Sequence, residues 1–263
     1  EDYVSVLIES YKDQPGWIEK YLEGDWNVVL EGTLIPGYIV EQCINKDVLI
    51  EETCTISCDV ARSEGLDADE TVIYVFKGLR VVDQVIYRGK DTYVTSGHLI
   101  RLHKQYRAVR VTIDDIGVGG GVYDFCLSSN LPVESFVANS RSNNKDKFRY
   151  LRDEAWWFLR DQFHAQNLCI PNDDVLKRQI GSIRYTIDGK QILIESKLEL
   201  KKRHGKSPDR ADALMMGVWG TRGLVGVQME AFRHFDRQEQ TPLYRPTDRF
   251  GWGNERAQTS FAG

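Results

Sequence analysis

The sequence predicts an α/β fold in which three antiparallel strands come first and parallel strands, separated by helices, follow. Residues 53–59, 71–76 and 82–87 form strand-length runs rich in β-branched side chains, and a short turn containing Gly78 separates the last two. A further β-branched run, residues 108–113, lies between two segments of helical periodicity. A meander followed by strand and helix alternation gives a mixed sheet flanked by helices.

The other elements follow from periodicity and from residues typical of element ends. Periodicity places helices at residues 93–104, 122–129 and 146–164 and short strands at residues 133–137 and 168–170. The tripeptide Pro171-Asn172-Asp173 is typical of a helix start. In the last predicted helix, Ser207 suits the cap and Pro208 suits the first position.

A β-hairpin is predicted in addition to the main sheet. Residues 183–187 and 191–194 alternate apolar and polar side chains, and Asp188-Gly189 between them is typical of a type I′ turn. A basic helix is expected directly after the hairpin.

Charge and periodicity divide the chain into three parts. Residues 1–50 combine short amphipathic helices with an irregular stretch, and we interpret them as the trailing end of a preceding domain and its linker. Residues 51–222 form the predicted α/β domain. Residues 223–263 lose periodicity, which is typical of a tail that is disordered or binds a partner. The net charge is −9 over residues 1–52 and +4 over the remainder, against −5 for the whole chain.

Composition excludes several classes of protein. No apolar run approaches the length of a membrane span, so no membrane partner is expected. The five cysteines are an odd number without paired Cys-x-x-Cys spacing. Reduced cysteines in the core are therefore expected, in preference to a zinc site.

The strand at residues 108–113 ends in Asp114 and Asp115, and glycines follow at 117, 119, 120 and 121. Such glycines let a backbone turn sharply and approach a neighbour closely. In an open α/β sheet, ligands bind at the carboxyl ends of strands. A dinucleotide site is disfavoured, because Glu134, the acidic residue at about the required distance, opens the following strand instead of ending it.

Three aspartates lie on three different predicted elements. Asp59 and Asp114 end strands, and Asp212 lies one turn into the last helix. If the two strands are neighbours, about 4.8 Å apart, Asp59 and Asp114 can share a ligand. Buried carboxylates repel one another unless a cation lies between them. We therefore predict that Asp59, Asp114 and Asp212 are catalytic ligands of two Mg²⁺ or Mn²⁺ ions, which would activate water and stabilise the leaving oxygen of a phosphodiester.

Accessory metal ligands and structural alternatives are also considered. Further candidate ligands are Asp209, Asp115 and Asp69. Turn formation is an alternative role for Asp59 and for one of the pair Asp114 and Asp115. Stabilisation of the helix dipole is an alternative role for Asp209 and Asp212.

Two basic stretches predict a phosphate-binding surface. Residues 197–206 hold five cations and one anion, and residues 141–160 hold six cations and three anions. A solvated helix face is the ordinary explanation of such runs. Because the first run adjoins Asp209, binding of the DNA backbone is the better interpretation here. The predicted DNA-binding residues are Lys197, Lys201, Lys202, Arg203, Lys206, Arg141, Lys145 and Lys147.

Taken together, four motifs resemble the nuclease domain of the phage terminase large subunit, the DNA-packaging motor protein of tailed phages. The matching stretches are Cys58-Asp-Val-Ala-Arg62 with Thr71-Val-Ile73, Ile113-Asp-Asp-Ile-Gly-Val-Gly-Gly-Gly-Val-Tyr-Asp124, Arg152-Asp-Glu-Ala-Trp-Trp-Phe-Leu-Arg160 and Ser207-Pro-Asp-Arg-Ala-Asp-Ala-Leu214. The resemblance implies a ribonuclease H-like fold and two-metal cleavage of double-stranded DNA. By position, it implies metal ligands at Asp59, Asp114 and Asp212, with Asp209 at an accessory position.

The resemblance also implies partners and a location. Residues 1–50 resemble the end of the family's ATPase domain, whose phosphate-binding loop is absent from this sequence. The full-length protein would bind the phage portal and the small terminase subunit, and it would act in the cytoplasm of the infected bacterial host. Two alternatives stay open: another ribonuclease H-like enzyme, such as a junction resolvase or a transposase, and a non-catalytic module that docks to DNA or to the portal.

Overall fold

The computed structural model describes residues 32–61, 69–89, 91–114 and 118–224. Its strands are β1 Cys54–Asp59, β2 Thr71–Lys77, β3 Arg80–Tyr87, β4 Arg110–Asp114, β5 Val133–Phe136, β6 Tyr185–Asp188 and β7 Gln191–Ile194. Its helices are α1 Gly37–Glu41, α2 Thr92–Tyr106, α3 Val118–Ser128, α4 Leu151–His164, α5 Asp174–Ser182, α6 Lys197–His204 and α7 Asp209–Gly220. No helix among these residues is long and apolar enough to cross a membrane.

The five-stranded sheet has the strand order β3-β2-β1-β4-β5. Strands β1, β2 and β3 are antiparallel neighbours, whereas β4 runs parallel to β1 and β5 runs parallel to β4. The predicted meander, parallel strands and mixed sheet are therefore confirmed. Cys58 pairs with Ile113 across β1 and β4, so the next residues, Asp59 and Asp114, lie side by side at one edge of the sheet.

Both faces of the sheet are covered, and the sequence of β2 shows this directly. Tyr74 and Phe76 pack in the core formed with α4, α5 and α7, whereas Ile73 and Val75 pack in the core formed with α2 and α3. A strand that is buried on both faces is apolar along nearly its whole length, as this one is.

Helix α7 lies unusually close to the sheet because small residues face it. A Cβ atom at Gly217 would lie 2.1 Å from the Phe76 ring, and one at Gly220 would lie 2.6 Å from Thr112 Oγ1. The Ser57 hydroxyl donates to the carbonyl of Ala213 at 2.7 Å. This packing fixes the first turn of α7, and hence Asp212, relative to β1.

The segment before β1 contributes to the same core. Leu34, Ile35 and Cys43 are buried against residues of α4 and α5. Part of the segment interpreted as a preceding domain and linker therefore packs with the α/β domain. The predicted division near residue 50 stays a prediction, and residues 1–31 and 225–263 lie outside the described part of the chain.

Several predicted boundaries are corrected by the structure. Helix α3 already begins at Val118, so Gly119, Gly120 and Gly121 lie in its first turn and not in a loop before it. Helix α4 begins at Leu151 instead of residue 146, because the backbone N–H of Tyr150 binds Asp153 and fixes the helix start there. In place of the strand predicted at residues 168–170, only Cys169 and Ile170 form isolated bridges, to Arg80 and Ile44 respectively.

The predicted hairpin turn and the predicted start of the last helix are each shifted by one residue. Asp188 pairs with Gln191, so the hairpin turn is Gly189-Lys190. Of these two turn residues, only Gly189 has a positive φ, at +61°. A type I′ turn needs a positive φ at both positions, whereas a type II′ turn needs it only at the first, so the predicted type I′ turn is wrong. Pro208 occupies the N-cap of α7, so the helix begins at Asp209 and Ser207 precedes the cap.

Candidate active site

Three aspartates on three elements converge at the carboxyl ends of β1 and β4. Asp59, Asp114 and Asp212 are 5%, 8% and 2% exposed, respectively. We call these three side chains the carboxylate cluster. Their adjacency was predicted from the sequence; what lies between them was not.

The side chain at the centre of the carboxylate cluster is Lys197. Its Nζ atom lies 3.0 Å from Asp212 Oδ2, 3.7 Å from Asp59 Oδ2 and 3.9 Å from Asp114 Oδ2. Lys197 was predicted to bind the DNA backbone, and in the structure its ammonium lies among the three carboxylates. As the first residue of α6, it points into the carboxylate cluster and supplies the cation that the sequence argument required.

Burial and charge perturb the protonation of this site. Burial raises the pKa of Asp59 well above its ordinary value, and the carboxylates of Asp212 and Asp114 raise it further, although Lys197 opposes them. Burial by itself would lower the pKa of Lys197, but the three carboxylates reverse the effect and raise it. Lys197 is therefore held as an ammonium ion in this arrangement.

Some carboxylate oxygens of the carboxylate cluster accept no hydrogen bond from the described part of the chain. Among the described residues, Asp59 Oδ2 and Asp212 Oδ1 have no hydrogen-bond donor, although both atoms are buried. Within the same ranges, no group of three or more acidic, histidine or cysteine side chains is arranged so that it could hold a metal ion. Buried carboxylate oxygens without donors match the ligands that Mg²⁺ and Mn²⁺ prefer. The chemistry of these donor atoms suits a divalent cation, which would have to displace the Lys197 ammonium from the same oxygens.

The accessory candidates Asp209 and Asp69 line the same cleft as Asp59 and Asp114. Asp209 Oδ2 accepts a hydrogen bond from the backbone N–H of Glu70 at 2.7 Å. Burial raises the pKa of Asp209 to about 6, even though this hydrogen bond opposes the shift. Asp69 instead pairs with Lys201 at 3.2 Å. The third accessory candidate, Asp115, lies outside the described residues.

A salt-bridge network fixes the backbone that binds Asp209, and sequence reasoning missed it. Arg210 contacts Glu70 through Nε at 2.8 Å and Nη2 at 3.0 Å, and it contacts Asp173 through Nη1 at 2.7 Å. Arg88 adds a second cation to Glu70 at 2.9 Å. Arg210 lies between Asp209 and Asp212, within the motif that drew attention to this helix. Its partners Glu70 and Asp173 are distant in the chain, so the sequence did not indicate them.

Asp114 is positioned by a close backbone contact. A Cβ atom at Gly119 would lie 1.7 Å from the carbonyl oxygen of Asp114, so only glycine fits the first turn of α3 against the end of β4. The close approach expected of the glycine-rich stretch is thus found at Gly119. By contrast, a Cβ at Gly121 would meet nothing within 4 Å.

The carboxylate cluster opens into a cleft of about 510 Å³. Besides the acidic residues, the cleft is lined by Tyr150 and Arg152 from the start of α4 and by Ser196, Lys197 and Lys201 from the start of α6. Anionic and cationic groups thus share one cleft. Such a site can hold metal ions and a phosphate together.

The predicted DNA-binding residues divide into paired and exposed groups. Arg203 forms an ion pair with Glu195 and donates to the carbonyl of Ser182 at 2.7 Å, so it anchors α6. Lys147 lies 5.6 Å from the centre of the Trp157 ring. Lys201 is exposed but paired with Asp69, and the other exposed members are Lys202, Lys206, Arg141 and Lys145.

The cysteine prediction is confirmed for all five residues. Each is buried and forms no disulfide.

The structure is similar to solved nuclease domains of phage large terminases. The nuclease domain of the large terminase subunit gp2 of bacteriophage Sf6, solved as a lysine-to-alanine mutant with calcium, superposes with a TM-score of 0.61 at 16% identity, covering 71% of this chain and 98% of that one. The nuclease of thermophilic phage G20c with bound magnesium gives a TM-score of 0.55 at 13% identity, covering 72% and 97%. The bacteriophage HK97 large terminase gives 0.50 at 11% identity, covering 71% of this chain and 43% of that one.

These similarities establish the fold. The mixed sheet with its meander, parallel strands and flanking helices is that of the terminase nuclease domains, so the expected ribonuclease H-like fold is confirmed. Manganese and cobalt complexes of the Sf6 and G20c domains also superpose on this chain. No protein-family model matches the sequence, and no curated protein matches it.

Proposed function

We propose that this chain is a metal-dependent endonuclease that cuts double-stranded DNA during packaging of a phage genome. The observation that carries the proposal is the convergence of three buried carboxylates on one point, within 4 Å of the Lys197 ammonium, at the carboxyl ends of two parallel strands. Repulsion among such carboxylates makes the arrangement costly unless it holds a cation. The shared fold with terminase nuclease domains supports the same activity.

Asp59, Asp114 and Asp212 would hold the metal, with Asp209 as an accessory ligand on the same cleft. Two bound Mg²⁺ or Mn²⁺ ions supply an activated water and stabilisation of the leaving oxygen in phosphodiester hydrolysis. The chain itself supplies hard oxygen ligands on rigid elements. The sheet register fixes Asp59 beside Asp114, and the packing of Gly217 fixes the helix that carries Asp212.

Lys197 would keep the carboxylate cluster neutralised when no metal is bound. Its ammonium compensates the charge of the buried carboxylates, which would otherwise repel one another. Metal binding then requires the Lys197 side chain to leave, and its position at the start of α6, half-buried beside the cleft, gives it a short path to solvent. The metal-free chain is stable and inactive in this account.

The exposed cations would bind the DNA backbone without reading its sequence. We propose that the full-length protein also carries an ATPase domain before residue 51 and binds the phage portal and the small terminase subunit in the cytoplasm of the infected bacterial host. The chain would then be the cutting domain of a packaging motor.

Cleavage of supercoiled plasmid tests the proposal. The wild-type chain is incubated with Mn²⁺, with Mg²⁺ and with chelator, beside Asp59→Asn and Asp114→Asn. Asp124→Asn is the matched control, because Asp124 is exposed on α3. We expect metal-dependent nicking and linearisation by the wild type and the control and none by the other two variants. A folded chain that binds DNA but does not cut it with either metal would instead favour a docking module. Strong preference for branched over linear duplex would favour a junction resolvase.

A further inference from the structure

Arg152, in the first turn of α4, is a buried cation that the metal chemistry does not use. It is 8% exposed and lines the same cleft as Asp59 and Asp114. Its Nη1 atom donates to the carbonyl oxygen of Glu195 at 2.8 Å. Its Nε and Nη2 atoms are buried, and neither has an acceptor among the described residues.

No carboxylate in the described part of the chain forms an ion pair with Arg152 within 4 Å. The adjacent Asp153 already serves the backbone: its Oδ1 accepts from the N–H of Ile194 at 2.9 Å, and its Oδ2 accepts from the N–H of Tyr150 at 3.0 Å. A buried guanidinium with two free donors costs folding free energy. Such a cost is characteristic of sites whose partner is a ligand.

The surrounding backbone places Arg152 beside the carboxylate cluster. Its own N–H donates to the carbonyl of Ala138 at 3.1 Å, just beyond the end of β5. Strand β5 is the parallel neighbour of β4, and Asp114 pairs with Phe136 between them. The Glu195 carbonyl that binds Nη1 lies two residues before Lys197. Arg152 is thus anchored one strand away from Asp114 and against the segment that leads to Lys197.

We propose that Arg152 binds a non-bridging phosphate oxygen of the DNA strand that is being cut. The proposal rests on the proposed function and extends it to the substrate. A guanidinium offers two parallel N–H donors that match the geometry of a phosphate, and both Nε and Nη2 lack an acceptor among the described residues. Metal ions held by the carboxylate cluster would bind the phosphate from one side, and Arg152 would bind the same strand within the same cleft.

The experiment compares Arg152→Met and Arg152→Lys with wild type. Arg101→Met is the matched control, because Arg101 is an exposed arginine on α2 whose side chain donates a hydrogen bond to the Gln105 side chain on the same helix. Three quantities are measured: kcat/KM of Mn²⁺-dependent plasmid cleavage, the salt dependence of duplex DNA binding in Ca²⁺, and the thermal midpoint of unfolding.

For Arg152→Met we expect kcat/KM to fall by about 10- to 100-fold, the loss of one charge-assisted hydrogen-bonding group. The slope of log K against log salt should decrease in magnitude by about 0.9, the contribution of one phosphate contact. The thermal midpoint should not fall, because the variant removes a buried charge that lacks full pairing. Arg152→Lys should recover most of the salt slope, and the control should match wild type in all three quantities.

The assignment is overturned if Arg152→Met keeps the wild-type salt slope, or if its only effect is a lowered thermal midpoint. A purely structural arginine would give the second result. The salt slope tests Arg152 even if no cleavage is seen. Absence of metal-dependent cleavage by wild type would count against the proposed function alone, whereas wild-type cleavage that Arg152→Met retains in full would count against Arg152 alone.

Discussion

The Lys197 ammonium and the Asp212 carboxylate lie 3.0 Å apart at the point where the other two aspartates also converge. A divalent metal that used these oxygens would meet a cation already in place. Metal binding and the Lys197 contact therefore oppose each other.

Lys197→Ala should bind Mn²⁺ at least about tenfold more tightly than wild type, because a positive charge within 4 Å of the ligands is removed. In chelator the variant should lose about 3–5 kcal/mol of unfolding free energy, since the buried carboxylates lose their counter-charge. Calorimetry and urea unfolding measure the two effects. Lys177→Ala, which breaks only the surface pairs to Glu41 and Asp174, should change neither by much. Equal Mn²⁺ affinity of Lys197→Ala and wild type would show that ammonium and metal do not share a position.

Gly119→Ala and Gly121→Ala form a matched pair on one helix. The first places a Cβ 1.7 Å from the Asp114 carbonyl and should cost about 1–3 kcal/mol while lowering cleavage. The second meets nothing within 4 Å and should stabilise the helix by about 0.5–1 kcal/mol with cleavage unchanged. Urea unfolding and plasmid cleavage provide the readouts. Similar behaviour of the two variants would contradict the close contact between α3 and β4.

Glu70→Gln should show a pH-dependent loss of stability. Although burial opposes the shift, hydrogen bonds from Arg210 and the charges of Arg210 and Arg88 hold the pKa of Glu70 below its ordinary value of 4.5. A depressed carboxyl pKa stabilises the fold above pH 4.5, and this contribution is lost as pH falls through the folded-state pKa.

We therefore expect Glu70→Gln to be about 2 kcal/mol less stable than wild type at pH 7, with the difference shrinking below pH 4.5. Unfolding by urea between pH 3 and 7 measures it. Glu134→Gln is the control, because Glu134 pairs with Arg110 at the surface. If the loss of unfolding free energy in Glu70→Gln did not change with pH, that result would argue against the ion pairs of Glu70 with Arg210 and Arg88.

Exposed and ion-paired basic residues in α6 and the loop after it should differ in their effect on DNA binding. Lys202 and Lys206 are exposed, so replacing both with Ala should reduce the salt slope of DNA binding by about 1.8, with stability unchanged. Arg203→Ala should mainly destabilise the chain, because Arg203 holds Glu195 and the Ser182 carbonyl. An unchanged slope in the double variant would remove this surface from the proposed DNA path.

The sequence was sufficient for the antiparallel meander, the following parallel strands and the position of Asp59 and Asp114 at strand ends, because these follow from local patterns. Alternating runs predicted the meander, and polar residues at strand ends predicted that Asp59 and Asp114 could share a ligand if their strands were neighbours, which they are. The start of α3 was misplaced because the three glycines gave no helical signal, and a close backbone contact requires glycine only at Gly119.

The roles of single cations could not be read from the sequence. Lys197, Lys202 and Arg203 belong to one basic run but differ in the tertiary structure. Lys197 lies in the carboxylate cluster, Lys202 is exposed to solvent, and Arg203 forms an ion pair with Glu195. Arg210 likewise depends on Glu70, which is 140 residues away in the chain. Contacts of this kind depend on how elements pack, and no local pattern encodes them.

Calorimetry of Mn²⁺ binding to the wild-type chain and to Asp212→Asn decides whether the carboxylate cluster holds the metal. Asp212 contacts Lys197 at 3.0 Å and has a buried oxygen without a donor in the described structure. We expect saturable Mn²⁺ binding to wild type and loss of that binding in Asp212→Asn while the variant remains folded. Wild-type Mn²⁺ affinity in the folded variant would contradict the assignment of the carboxylate cluster as the metal site.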